Sequence, residues 1–124
     1  MINTITLEGR LTKDIDLKDF NGTKVINNTI AVYGGKRNEE DITYFFDFKA
    51  FNYQAEQLSK NATKGSKIIL NGALTQDKWE KDGQQMSKVV IIAESIGVLI
   101  KQESTKEQVK ELADSMKMKE DLPF

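Results

Sequence analysis

Two rings and two opposite charges alternate along Phe45, Asp47, Lys49 and Phe51. In an extended chain these four side chains share one side. Burying both rings beside Asp47 and Lys49 would strip water from the charges. Leaving the rings in water forfeits roughly 1.5–3 kcal/mol of burial for each large apolar side chain. A face that binds flat π-systems resolves the conflict: bases stack on the rings and ammonium groups meet the phosphates, with stacking worth roughly 1–3 kcal/mol per base. Trp79 repeats the pattern between Lys78 and Lys81. Alternation carried on from residues 68–75 places it with Asn71, Thr75 and Asp77, opposite Ile68, Leu70 and Leu74. Tyr33, beside Lys36 and Arg37, is a lesser fourth ring. Arg10, Lys36, Arg37, Lys49, Lys64 and Lys78 are the cations placed to attract a phosphate backbone. The ordinary alternatives are rings packed on a helix, a loop or a second subunit, and lysines that only solvate a surface.

Other chemistries have less to stand on. The chain has no His and no Cys, which excludes imidazole bases, thiol nucleophiles, disulfides and thiolate metal sites. Asp47 and Lys49, with Asp41 upstream, resemble the carboxylate and lysine of a metal-dependent nuclease. Phe45 and Phe51 would crowd a hydrated Mg²⁺ there. Asp14, Asp16 and Asp19, and likewise Glu39-Glu40-Asp41, read as solvated loops. No Walker-type phosphate loop is present. The expectation is a protein that is not an enzyme and carries neither metal nor cofactor. An adaptor that turns the same aromatic face towards another protein is the main alternative, and the nuclease is the remote one.

These side chains need a rigid frame. The 124 residues make one domain with a short appendage. Ile, Val, Leu and Phe supply 33 residues, only 4 of them in the last 24, so the core belongs to residues 1–100. Residues 4–12 alternate and read as a strand with Gly9 as a bulge or bend. Residues 13–23 are polar and end in the turn signal Asn21-Gly22. Residues 24–33 form a second strand, 34–41 a polar loop and 42–51 a third strand. Ile42, Tyr44, Phe46, Phe48 and Ala50 make the core side of that third strand. Ala55, Leu58 and Ala62 mark a short helix over 53–63, stopped by Lys64-Gly65. Residues 66–75 and 88–93 are strands, separated by a polar arm turning at Asp82-Gly83, and 95–100 complete the core. A helix between the third and fourth of five strands predicts an all-β, five-stranded OB-fold Greek-key barrel. Residues 101–124 carry 5 basic and 6 acidic side chains. A cap at Ser104 with Glu107, followed by Val109, Leu112 and Met116, would make the tail weakly helical.

Net charge is −1, so attraction for nucleic acid has to come from segregated charge. No apolar run approaches the roughly 18 residues that span a bilayer, and no basic-then-apolar leader opens the chain. The expected location is the cytoplasm.

The chain resembles the bacterial and phage single-stranded DNA-binding protein family. The resemblance runs through Met1–Asp14, Thr29-Ile30-Ala31-Val32, Thr43–Phe46 to Ala50-Phe51, Ala55-Glu56, Lys64–Lys67 to Asn71-Gly72, then Trp79 and Gly83. It covers about 100 residues plus the closing Asp121-Leu122-Pro123-Phe124. It implies an OB fold, usually a homotetramer, that binds single strands with little sequence preference in replication, recombination and repair. The family's stacking aromatics fall on Phe45, Phe51 and Trp79. The tip, Asp121, Leu122, Pro123 and Phe124, would recruit replication and repair proteins, its ring and terminal carboxylate suiting an apolar pocket with a basic rim. Three departures stand out. Lys36-Arg37 replace a frequent aromatic, Asp47 stands where a basic residue is common, and Lys117 and Lys119 precede Glu120-Asp121. The tail also lacks the long Gly, Pro and Gln-rich linker, a compactness suited to a phage or mobile element.

Overall fold

The computed structural model describes residues 1–102, which are strands apart from one helix, turns and short connections. In chain order the elements are β1 (Ile5–Leu11), β2 (Lys18–Phe20), β3 (Thr23–Arg37), β4 (Glu40–Phe51), α1 (Tyr53–Asn61), β5 (Lys67–Lys81) and β6 (Gln84–Ile100). The sheet order is β1-β5-β6-β4-β3-β2. β1 also pairs with β3 through Arg10↔Ala31 and Leu11↔Ile30, so the sheet curls round until these two strands meet. β4 and β6 run parallel and meet over two rungs, Phe48↔Ile91 and Lys49↔Ile92. The other pairings are antiparallel.

Three two-residue turns set the antiparallel registers. Asn21-Gly22, Asn38-Glu39 and Asp82-Gly83 each have positive φ at both residues, as type I′ hairpins require. They fix Phe20↔Thr23, Arg37↔Glu40 and Lys81↔Gln84 as closing pairs. Several expectations change here. A sixth, three-residue strand, β2, lies within the polar segment 13–23; its exposed residues carry no apolar period to announce it. The loop expected at 34–41 shrinks to Asn38-Glu39, because backbone pairing continues past Gly34-Gly35 with one register shift. The arm 76–87 is the far part of one long β5–β6 hairpin.

The core is built from Leu11, Ile26, Ile30, Phe48, Leu58, Ile68, Leu70 and Ile91, each at most 2% exposed. Burying each of these stabilises the fold by roughly 1.5–3 kcal/mol. α1 adds Ala55 and Leu58, with Ala62 following it. Asn52 begins the helix: its Oδ1 accepts from the Lys24 amide and its own amide donates to the Lys24 carbonyl. That double link ties Phe51 and the helix start to β3. The helix ends at Asn61, before the expected Lys64-Gly65 stop, where extended Ala62 donates to the Leu58 carbonyl. Gly9 marks a close approach of backbones: a Cβ there would stand 2.2 Å from the Ala31 carbonyl oxygen. The side chain of buried Asn28 accepts from the Thr29 and Lys13 amides and donates to the Lys13 carbonyl, anchoring the loop after β1.

The expected core side of β4 holds only in part. Phe48 and Ala50 are buried, but Tyr44 and Phe46 lie at least one-third exposed. Alternation told which side they face; it did not tell that the strands run on past the end of the core. The tail cap, the Val109–Met116 stripe and the tip Asp121–Phe124 lie outside the described residues.

Candidate nucleic-acid interface

Direct partners in an antiparallel ladder put their side chains on one side of the sheet, as do alternate residues of a strand. Phe45, Asp47, Lys49 and Phe51 therefore share a face with their β3 partners Ala31, Thr29, Asn27 and Val25. Tyr33, the partner of Thr43, continues that face. Arg10, the partner of Ala31, joins it from β1, in one row with Phe45. The rung Lys49↔Ile92 carries the face onto Val90 and Lys88 of β6. Their β5 partners are Thr75 and Asp77, and two residues further out Trp79 faces Met86.

The four rings are open to solvent: Phe45 is 61% exposed, Tyr33 48%, Trp79 43% and Phe51 37%. None of the four is buried within the chain. Lys78 has the opposite parity to Trp79 and lies on the other side of β5 with Leu74 and Gln76. Lys36 and Arg37 sit exposed at the end of the β3–β4 hairpin, beyond the register shift and opposite Asp41 and Glu40. Lys64 is exposed in the connection before β5, next to Gly65, whose carbonyl accepts from Arg10 Nη1 at 2.9 Å.

Charges on the ring face are paired. Lys49 Nζ lies 3.2 Å from Asp77 Oδ2. Lys88 forms an ion pair with Asp47. Thr29 Oγ1 donates to Asp47 Oδ1 at 2.6 Å. The Lys88 hydrogen bond, then that of Thr29, holds the Asp47 carboxyl below the usual carboxylate range; partial burial opposes this and Lys13 adds to it. Tyr33 donates its hydroxyl to Asp41 Oδ1 at 3.1 Å. Lys88 and Met86 are parts of the face that a reading of single strands passes over. Their signal is the Asp82-Gly83 turn: once it closes Lys81 on Gln84, it sets 79 against 86 and 77 against 88.

Among the described residues no three carboxylates gather to hold a metal ion. A cleft of about 490 Å³ between α1 and β6, lined by Tyr53, Leu58, Ile96 and Val98 among others, includes none of the four rings. The arrangement can therefore stack planar groups on a strip of rings interleaved with exchangeable cations.

The model of the single-strand binding protein family matches residues 2–99. A single-stranded DNA-binding protein of Aquifex aeolicus is 34% identical over 116 residues, covering 90% of this chain and 79% of that protein. Single-stranded DNA-binding protein 1 of Streptococcus pyogenes is 33% identical over the whole of both chains. The crystal structure of a small single-stranded DNA-binding protein from Streptomyces coelicolor superposes with a TM-score of 0.67 at 21% identity, over 79% of this chain and 95% of that one. Shared fold, matched family model and identity along the full length agree: the chain belongs to the single-strand binding protein family.

Proposed function

We propose that this protein binds single-stranded DNA without sequence preference and protects it in replication, recombination and repair. The observation that carries the reading is the placing of Phe45, Phe51, Trp79 and Tyr33, all exposed, on one face of the sheet. Bases stack on the rings because every base offers a π-face, which accounts for tolerance of sequence. Lys49, Lys88 and Arg10 flank the rings on that face, and Lys36, Arg37 and Lys64 extend the positive border. Lys78, on the reverse of the arm, serves a strand that wraps the hairpin edge. The protein acts by binding rather than by catalysis and uses no metal.

It assembles as a homo-oligomer, a homotetramer in this reading. Supporting it, Tyr44, Phe46, Leu74 and Val89 are exposed apolar residues beyond the core, and such a patch marks an interface. β1 also meets β3 only at Arg10 and Leu11, leaving the Ile5–Gly9 edge available for pairing. Asp121, Leu122, Pro123 and Phe124 recruit replication and repair proteins. No described helix is long and apolar enough to cross a membrane, and the protein works with the nucleoid in the cytoplasm.

Trp79 is the only tryptophan, so titration of its fluorescence with oligo-dT and with duplex tests the reading. Quenching by the single strand at lower concentration than by duplex is expected. An unaltered signal together with no band shift removes the DNA-binding reading and leaves the adaptor.

A further inference from the structure

The ring face holds two lysines and two aspartates in contact, so its central charges cancel before any ligand arrives. Lys49 is paired with Asp77 at 3.2 Å, bridging β4 to β5. Lys88 is paired with Asp47, bridging β6 to β4. We propose that Asp47 and Asp77 are built-in competitors of the DNA phosphates, holding Lys88 and Lys49 in the free protein and yielding them when a strand binds. This rests on the single-strand reading above. All four side chains are 31–50% exposed, a setting in which an ion pair adds little. Such pairs are weak enough for a phosphate to replace.

The exchange has a measurable consequence. A single strand carries condensed cations on its phosphates and releases them where a lysine takes their place, so each such contact steepens the fall of log K with log[salt] by about 0.7. A lysine drawn from a tethered carboxylate leaves that carboxylate beside the phosphate. The pair then contributes less affinity at low salt and less salt dependence than a lysine standing alone. Asp47 and Asp77 thereby set how tightly, and over what range of salt, the protein holds its strand.

The test is a titration of Trp79 fluorescence with oligo-dT over a series of salt concentrations, for the full chain and for Asp47→Asn, Asp77→Asn and the double variant. Asn keeps the shape and removes the charge. Each single variant is expected to bind about two- to fivefold more tightly at low salt, the range an exposed pair supports. The salt slope steepens with each removal, by up to about 0.7 apiece. The gain from Asp77→Asn disappears when Lys49 is also changed to Gln. If Asp47→Asn loses its fold with its Thr29 contact, Asp77→Asn and Lys49→Gln still complete the test. Coincident slopes, or weaker binding by the Asn variants, overturn the competitor role while leaving the single-strand reading intact. Failure of the unaltered protein to bind oligo-dT at any salt removes both.

Discussion

The ring of Tyr44 lies across the bare backbone of Gly34: a Cβ on that glycine would stand 2.3 Å from Tyr44 Cε2. The two residues meet on the side where Tyr44 and Phe46 are exposed, their ring centroids 6.4 Å apart. A methyl at position 34 must push the Tyr44 ring aside. The ring is solvent-facing and swings at little expense, so Gly34→Ala should change unfolding by no more than about 1 kcal/mol. It should nevertheless roughen the apolar patch proposed for assembly. Sedimentation velocity at falling concentration should show Gly34→Ala, and more so Phe46→Ser, dissociating before the unaltered chain. Identical association of all three would remove this patch from the subunit interface.

Trp79 and Phe45 sit on different strands and are proposed as separate stacking platforms. Changing either to Ala should weaken binding of oligo-dT by roughly 1–3 kcal/mol, while the melting temperature stays nearly constant because each ring contributes little to the core. Band shifts can follow Trp79→Ala, which removes the fluorescent reporter. A large fall in melting temperature would reveal a structural ring instead.

Glu39 occupies the second position of the Asn38-Glu39 turn at φ 67, a conformation that glycine adopts without strain. Relief of left-handed strain, roughly 1–2 kcal/mol, outweighs the added chain entropy of glycine, about 0.5–1 kcal/mol. Glu39→Gly should therefore raise stability by about 0.5–1 kcal/mol in urea unfolding. A lowered midpoint would show that the Glu39 side chain supports the turn.

Asp47 gives the fold a pH dependence. Lys88 and Thr29 hold its folded carboxyl below the usual range, with Lys13 contributing and Lys49 and Asp77 on the same face. The unfolded chain thus takes up the proton first as pH falls. The stability is present above the ordinary carboxylate range and is lost as pH drops through the depressed folded value. Urea midpoints from neutral to acid pH should fall less for Asp47→Asn than for the unaltered chain. Parallel curves would mean that Asp47 is no better held folded than unfolded.

Much of this face was readable in the alternation of residues 42–51, since Phe45, Asp47, Lys49 and Phe51 can share a side only in a strand. Asp82-Gly83 likewise announced the long hairpin. The three-residue β2 was hidden because its pairing involves backbone and no apolar side. The ladder through Gly34-Gly35 was hidden for the same reason. Exposure of Tyr44 and Phe46 was illegible because alternation assigns a side and says nothing about what covers it. The partnership of Lys49 with Asp77 joins residues 28 apart in the chain and depends on how the sheet coils, which no local pattern records.

β4 touches β6 over two rungs, and past them β5 and β6 continue as a two-stranded ribbon to the turn at Asp82-Gly83. Phe45 and Phe51 are bolted to the sheet, whereas Trp79 rides on a lever. The gap between the two jaws is consequently a property of hairpin length and twist rather than of the core. Removing one rung pair from the ribbon would reset that gap and leave the interior of the protein as it was.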